Sequence, residues 1–154
     1  MKKIELHGKY GTGKFALVDD EDYELVNKYR WTLHSRGYIT VNINKNRVYM
    51  HRIIMNPKTG DVVDHINHDK LDNRKCNLRI CTQSQNIMNS RKHKTGASEY
   101  KGVCFYKGKW TARIVQLRKT FYLGYFPTEA QAAHAYNLKA TELFGEFAFL
   151  NEIN

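Results

Sequence analysis

The chain has 154 residues, with 25 Lys and Arg against 15 Asp and Glu, so its formal charge is +10. A hydrophobic content of 42% argues against a wholly disordered chain, and no apolar run approaches the roughly 18 residues that a membrane helix needs. Three cysteines are too few for a disulfide framework, and the first residues lack an apolar leader. We therefore expect a cytoplasmic protein that is not secreted and has no membrane partner. The positive charge predicts that it binds a polyanion such as nucleic acid.

Residues 1–50 mix β-branched and aromatic residues with turn residues, which predicts a β-rich region. Residues 15–18 and 38–43 have the composition of strands, and the acidic run at residues 19–22 predicts the start of a short helix. Residues 8–14 fit the first seven positions of a phosphate-binding P-loop. Phe15 stands where a Ser or Thr would bind magnesium, and a strand follows, so a turn between two strands is favoured.

Residues 51–94 are rich in Asn, Asp, His and basic side chains. An apolar pair runs straight into Asp64 and His65, which predicts a strand that ends on a carboxylate and an imidazole. Residues 82–85 form a capping box that places Asn86 in the first turn of a helix. Strand, loop, strand and helix within about 25 residues would bring oxygen ligands next to a base.

Such a set suits phosphodiester hydrolysis, which needs a cation to neutralise phosphate charge and a base to activate water. Asp64 and Asn86 offer oxygens to Mg²⁺ or Mn²⁺, and His65 has an ordinary pKa suited to accepting a proton. Nearby basic side chains would bind neighbouring phosphates: Arg52, Arg74, Lys75 and Arg79. Cys76 and Cys81 favour apolar thiols over a zinc site, because no second close cysteine pair exists.

Four ordered blocks carry a family resemblance: DHI at 64–66, LDN at 71–73, NLR at 77–79 and QN at 85–86, preceded by HR at 51–52. Together they resemble the HNH endonucleases, in particular the phage and intron homing branch with a ββα-metal motif, over about residues 47–90. The resemblance implies that Asp64 and Asn86 bind the metal and that His65 is the general base. It also implies that Asn77 bonds across the metal loop and holds His65 in place.

Two points stay open within this region. An isolated Asp-His pair is more often a capped turn with a surface histidine, so the site depends on Asn77 and Asn86 standing in register. Many members of the family carry His where Asn86 stands. His51 either lines the site, where it would contact DNA together with Arg52, or packs beneath it.

Residues 100–154 predict a compact second module after a linker at residues 95–99. Strands are expected at residues 102–106, 110–116 and 119–125, followed by a helix that a capping box starts at Thr128 and that ends near Gly145. Residues 100–119 carry six basic side chains and no acid, whereas residues 120–154 carry one Lys and four Glu. This split predicts strands that face an anion and a helix that faces away from it.

The motifs YKGV at 100–103, GKWTARI at 108–114, LGYF at 123–126 and AAHAY at 132–136 resemble the DNA-binding domain of the plant ethylene-response-factor family. The resemblance implies a three-stranded antiparallel sheet that enters the major groove and is backed by one helix. The implied DNA contacts are Lys101, Tyr106, Lys109, Arg113, Arg118, Lys119 and Tyr122. Trp110 is either a base contact or part of the core. Plant members carry other residues at positions 104, 106 and 113, so their target sequence is not transferable.

The sequence therefore predicts an α+β protein with a β-rich region over residues 1–50, an HNH ββα-metal core over 51–94, a linker and a DNA-binding domain over 100–154. We expect metal-dependent cleavage or nicking of double-stranded DNA by a monomeric homing endonuclease that uses no small-molecule cofactor. A non-catalytic, sequence-specific DNA-binding regulator that uses only residues 99–151 is the alternative. An RNA-binding protein is disfavoured, because no RNA-recognition motif is present.

Overall fold

The computed structural model describes residues 1–92 and 97–153, and its contacts divide the chain into two units, Met1–Gln83 and Ser84–Asn154. Each unit has its own hydrophobic core. The division lies upstream of the predicted linker at residues 95–99, part of which falls outside the described residues. Across the described ranges, no helix is long and apolar enough to span a membrane.

The first unit combines antiparallel strands with two short helices. Its elements are β1 (Lys2–Glu5), β2 (Phe15–Val18), α1 (Tyr23–Asn27), β3 (Thr32–Leu33), β4 (Ile39–Ile43), β5 (Asn46–Tyr49), α2 (Met50–Met55), β6 (Val62–His65), a 3₁₀ turn (Lys75–Asn77) and β7 (Leu78–Cys81). Strands β1 and β2 form one ribbon, β3, β4 and β5 form a sheet in that order, and β6 and β7 form a second ribbon. All pairings within these three groups are antiparallel.

The core of the first unit gathers apolar side chains from all three groups of strands and from both helices. Leu6, Val26, Trp31 and Met50 are fully buried there. The Trp31 indole N–H, the one polar group of that side chain, donates to the carbonyl oxygen of Val26 at 2.8 Å. Burial of the indole therefore leaves no donor unsatisfied, which is the condition for packing Trp in a core.

The loop that mimics a P-loop in sequence is a turn. The backbone N–H groups of Gly11 and Thr12 both donate to the carbonyl oxygen of Gly8, at 3.0 and 3.1 Å. Strand β2 follows at Phe15 and pairs with β1, so no helix N-terminus is available to bind a phosphate. The predicted turn between two strands is confirmed.

The second unit is a sheet packed on one long helix, as predicted. Its elements are β8 (Val103–Tyr106), β9 (Lys109–Gln116), β10 (Lys119–Phe126), α4 (Glu129–Phe144) and a 3₁₀ turn (Gly145–Phe147), and α3 (Gln83–Met88) begins at the division between the units. The strand order is β10-β9-β8, all antiparallel. The Thr128 side chain accepts a hydrogen bond from the backbone N–H of Gln131 at 3.2 Å, which starts α4 as the capping box predicts.

Small side chains let α4 lie close to the sheet. Ala132, Ala133 and Ala140 are fully buried on its inner face. Gly102, with φ +77°, faces the Tyr136 ring so closely that a Cβ at this position would lie 2.1 Å from the ring. Only glycine fits both the backbone conformation and the space, so Gly102 sets the distance between helix and sheet.

Candidate active site and nucleic-acid interface

The β6–β7 ribbon positions the predicted catalytic pair. Asp64 lies opposite Arg79 and His65 lies opposite Leu78 in the antiparallel register, and both members of the pair are buried. Arg79 donates from Nε and Nη2 to Asp64 Oδ2 at 3.0 and 2.8 Å. The carboxylate is therefore fixed in orientation and balanced in charge by the guanidinium on the neighbouring strand.

Asn77 closes the loop that follows His65. Its Nδ2 donates to the carbonyl oxygen of Asp72 at 2.8 Å, and its Oδ1 accepts from the backbone N–H of Asn67 at 3.0 Å. Its own carbonyl accepts from the backbone N–H of Ile66 at 2.9 Å. The side chain thus spans the loop between β6 and β7, in the manner that the family resemblance implies.

His65 lies in a cluster of aromatic rings that no motif in the sequence predicts. Its ring centroid is 5.1 Å from that of His51, edge to face, and 6.4 Å from that of Tyr38. His51 in turn stacks on Tyr49 at 5.5 Å and lies 5.6 Å from Tyr38. His51 is buried on α2, so of the two interpretations of this residue the structure favours packing next to the base, and a direct DNA contact is not supported.

Burial keeps both imidazoles uncharged. It lowers the pKa of His65 below the ordinary value of 6.5, against opposing effects of a hydrogen bond with Asn73 and of the Asp64 charge. It lowers the pKa of His51 to about 3, with smaller contributions from His65, Arg52 and Lys70. At neutral pH His65 therefore stands in the proton-accepting form.

The basic residues predicted to contact phosphates in this region have other partners. Arg74 donates to both carboxylate oxygens of Asp72 at 2.7 and 2.6 Å, and Arg52 Nη1 donates to the carbonyl oxygen of Asp61 at 3.1 Å. Together with the Arg79–Asp64 pair, these contacts favour a structural role for Arg74 and Arg79, whose charges are balanced by acids. DNA contact by Arg52, Arg74 and Arg79 stays a prediction.

The predicted DNA contacts of the second unit fall largely on one face of its sheet. Lys109 and Arg113 alternate along β9 with the buried Ala112 and Ile114, so they point away from α4. Tyr106 pairs with Lys109, and Tyr122 pairs with Arg113, which puts both tyrosines on the same exposed face. Two further predicted contacts, Arg118 and Lys119, are exposed at the β9–β10 turn.

Two predicted contacts lie elsewhere. Trp110 is on the opposite side of β9, packed against the core of the second unit with its ring 5.0 Å from that of Phe105, so it belongs to the core. Lys101 is half-buried, and its Nζ donates at 2.7 Å to the carbonyl oxygens of both Met88 and Ser90. Burial lowers the pKa of Lys101 to about 8. Its ammonium group is bound within the unit, and these bonds favour a structural role over the predicted phosphate contact.

Comparison with known proteins adds two similarities. Residues 48–88 match the HNH endonuclease family. Over 151 residues, which cover 94% of this chain and 78% of the relative, the sequence is 40% identical to an uncharacterized HNH endonuclease of Acanthamoeba polyphaga mimivirus. A stretch of 59 residues is 44% identical to APETALA2-like protein 2 of Oryza sativa, in both the indica and the japonica subspecies. This match covers 36% of this chain and 14% of the rice protein.

Proposed function

The chain belongs to the HNH endonuclease family and is a nuclease, and from this premise we propose that it hydrolyses phosphodiester bonds of double-stranded DNA in a metal-dependent reaction centred on Asp64 and His65. The observation that carries the proposal is the burial of this pair at the end of β6, before a loop that Asn77 closes. A non-catalytic regulator, the alternative from the sequence, disagrees with the family.

In the proposed reaction His65 accepts the proton of the attacking water. Because burial holds its pKa below 6.5, the imidazole is neutral at physiological pH and free of the competing protonated form. Tyr38 and His51 pack on the ring and limit its rotation. Asn77, by fixing the loop directly after β6, keeps the ring at one position relative to the Asp64 carboxylate.

The chemistry of the donor set fits a hard divalent cation. The family resemblance implies that Asp64 supplies a carboxylate and that Asn86, on α3, supplies an amide oxygen. Mg²⁺ keeps several waters and needs few protein ligands, so it suits this set better than zinc, and Mn²⁺ is the other candidate. Bound there, the ion would neutralise charge on the phosphate and the leaving oxygen.

We further propose that the second unit binds the DNA through the exposed face of its sheet. Cationic and aromatic side chains share that face, with Lys109 and Arg113 able to contact phosphates or guanine edges. The resemblance of residues 99–151 to the ethylene-response-factor domain supports this assignment. The homing role is proposed from the resemblance to the phage and intron branch.

A plasmid assay tests the proposal. The purified chain, incubated with supercoiled plasmid and Mg²⁺, is expected to convert it to open circular or linear DNA, and EDTA should abolish the conversion. Mapping the ends of the product would then distinguish nicking from double-strand cleavage. A chain that leaves the plasmid supercoiled with both Mg²⁺ and Mn²⁺ would contradict the proposal.

A further inference from the structure

The cations around the β6–β7 ribbon differ in what balances their charge. Arg74 pairs with Asp72 and Arg79 pairs with Asp64, at 2.6 and 2.8 Å. Lys70, in the same loop, forms no ion pair with any carboxylate of the described part of the chain; its Nζ donates to the carbonyl oxygen of Arg36 at 2.9 Å and lies 3.9 Å from the centre of the Tyr38 ring. It is therefore a cation without a counter-charge.

Lys70 is also not a freely solvated surface lysine. The residue is half-buried, and burial lowers the pKa of its ammonium group. Its stem passes the β3–β4 turn at Gly37, where an added Cβ would lie 3.4 Å from Lys70 Cδ. Partial burial of an ammonium group without an opposite charge costs free energy, and here the Arg36 carbonyl and the Tyr38 ring are the groups that offset it.

The position of Lys70 connects it to the candidate active site. The Tyr38 ring on which its ammonium lies is the ring that packs 6.4 Å from His65 and 5.6 Å from His51. The Lys70 ammonium is thus a positive group near the proposed base that no carboxylate of the described residues balances.

We propose that Lys70 binds a phosphate group of the DNA backbone at the active site, which makes it a further substrate-contacting residue of the nuclease. A phosphate would provide the missing negative charge, and an ammonium group that gives one donor to the Arg36 carbonyl has two donors left for phosphate oxygens. The inference rests on the proposed function, since it assigns the phosphate to the DNA that His65 and Asp64 act on.

Charge and stem can be separated by substitution. Lys70→Met keeps an unbranched apolar side chain against Tyr38 and removes the charge, whereas Lys70→Arg keeps the charge. Lys58→Met is the matched control, because it removes one exposed lysine from the same unit. In single-turnover nicking of supercoiled plasmid with Mg²⁺, we expect Lys70→Met to be about 10²-fold slower than the parent. Lys70→Arg should recover to within about tenfold, and Lys58→Met should equal the parent.

A second readout does not need cleavage. Inorganic phosphate, titrated into metal-free protein and followed by NMR, is expected to shift the amide signals of Arg36, Gly37 and Lys70 in the parent and in Lys58→Met, but not in Lys70→Met. If the parent fails to nick DNA, the proposed function fails while this titration still decides the role of Lys70.

Three results would overturn the inference. Lys70→Met would nick as fast as Lys58→Met, or phosphate would shift the same signals in Lys70→Met as in the parent. Alternatively, Lys70→Met and Lys70→Arg would lose nicking equally, with a matching fall in melting temperature. That last outcome would make Lys70 a structural link between its loop and the β3–β4 turn.

Discussion

Asp64 and His65 are neighbours in sequence, yet strand geometry sends their side chains to opposite faces of the β6–β7 ribbon. Asp64 meets the guanidinium of Arg79, and His65 meets the rings of His51 and Tyr38. Two neighbouring residues therefore have different surroundings, an ion pair for Asp64 and a cluster of aromatic rings for His65. A carboxylate that binds a cation and an imidazole that accepts a proton need such different surroundings.

The general base can be tested by truncation of one imidazole. His65→Ala should nick supercoiled plasmid about 10²- to 10⁴-fold more slowly than the parent, because the proton acceptor is lost. DNA binding, measured in EDTA by fluorescence anisotropy, should be unchanged. His134→Ala, which removes an exposed histidine from α4, is the control and should behave as the parent in both assays. Parent-like nicking by His65→Ala would reject the assignment.

The buried His51 predicts how stability depends on pH. Its pKa is about 3 in the folded chain and about 6.5 when unfolded, so between these values the unfolded state binds the extra proton and stability falls as pH falls. The loss from this group is about 1.4 kcal/mol per pH unit, or about 2 kcal/mol between pH 7 and pH 5. Urea unfolding of the parent and of His51→Phe at both pH values measures it.

In that comparison His51→Phe should lose less stability on acidification than the parent, by about this amount. His134→Ala, which removes an exposed imidazole, should follow the parent. Equal losses in the parent and in His51→Phe would show that His51 is not held neutral by the fold.

At the scale of elements, the predictable parts are those whose signals are local. The capping box at Thr128 predicts α4, and the composition of residues 102–125 predicts β8 to β10. Each predicted bound lies within one or two residues of the observed one. Strand β2 matches residues 15–18, and β6 ends on Asp64 and His65 as expected. Periodicity and capping act within a few residues, so they are visible in the chain itself.

The sequence does not predict the short elements of the first unit, because they carry no local signal. Strands β1, β3 and β5 and helix α2 have two to six residues each, too few to show a period. Their stability comes from partners distant in sequence. The acidic run before α1 illustrates this: Asp22 makes no side-chain capping bond, and instead Asp22 and Glu21 form ion pairs with Lys75, more than fifty residues away.

No pattern in the sequence places Tyr38 and Lys70 near His65, for the same reason. Neither belongs to a motif block, and only the sheet that carries Tyr38 brings it next to His65. The sequence predicts Asp64, His65 and Asn77 as site residues because their pattern is compact along the chain. It also predicts phosphate binding by Arg74 and Arg79, because their charge is visible in the sequence and the acids that pair with them in the fold are not.

Two lysines of the second unit should separate a structural from a DNA-binding role. Lys109→Met removes an exposed cation from the sheet face and should reduce the slope of log K against log salt by about 0.9 if it contacts one phosphate. Lys101→Met removes the donor that holds the carbonyls of Met88 and Ser90, so it should lower the melting temperature and leave that slope unchanged. Binding of a duplex at several salt concentrations, with thermal melts, gives both quantities.

The reverse pattern, with a stable Lys101→Met that loses salt dependence, would return Lys101 to the set of phosphate contacts. Unchanged binding by Lys109→Met would instead remove this part of the sheet face from the proposed interface.

For the whole molecule, the antiparallel strands and separate helices confirm the α+β class, and the two cores show two independently packed units. The contacts group Ser84–Asn154 as one unit, so Asn86 and most of α3 belong with the sheet that we propose as the DNA-binding surface. A motif that is continuous in sequence is thus divided between units by its packing. This division follows from Met88 packing on the second core, which no local pattern reveals.

We propose that nuclease activity depends on a divalent cation at Asp64. This claim is tested by the nicking rate of supercoiled plasmid as a function of Mg²⁺ concentration, for the parent and for Asp64→Asn. Asparagine keeps the volume of the side chain and an oxygen for Arg79 while removing the charge. The parent rate should rise from zero in EDTA to a plateau, and Asp64→Asn should stay at least about 10²-fold slower at every concentration while binding DNA as tightly. Nicking by the parent in EDTA, or a parent-like rate for Asp64→Asn, would contradict the claim.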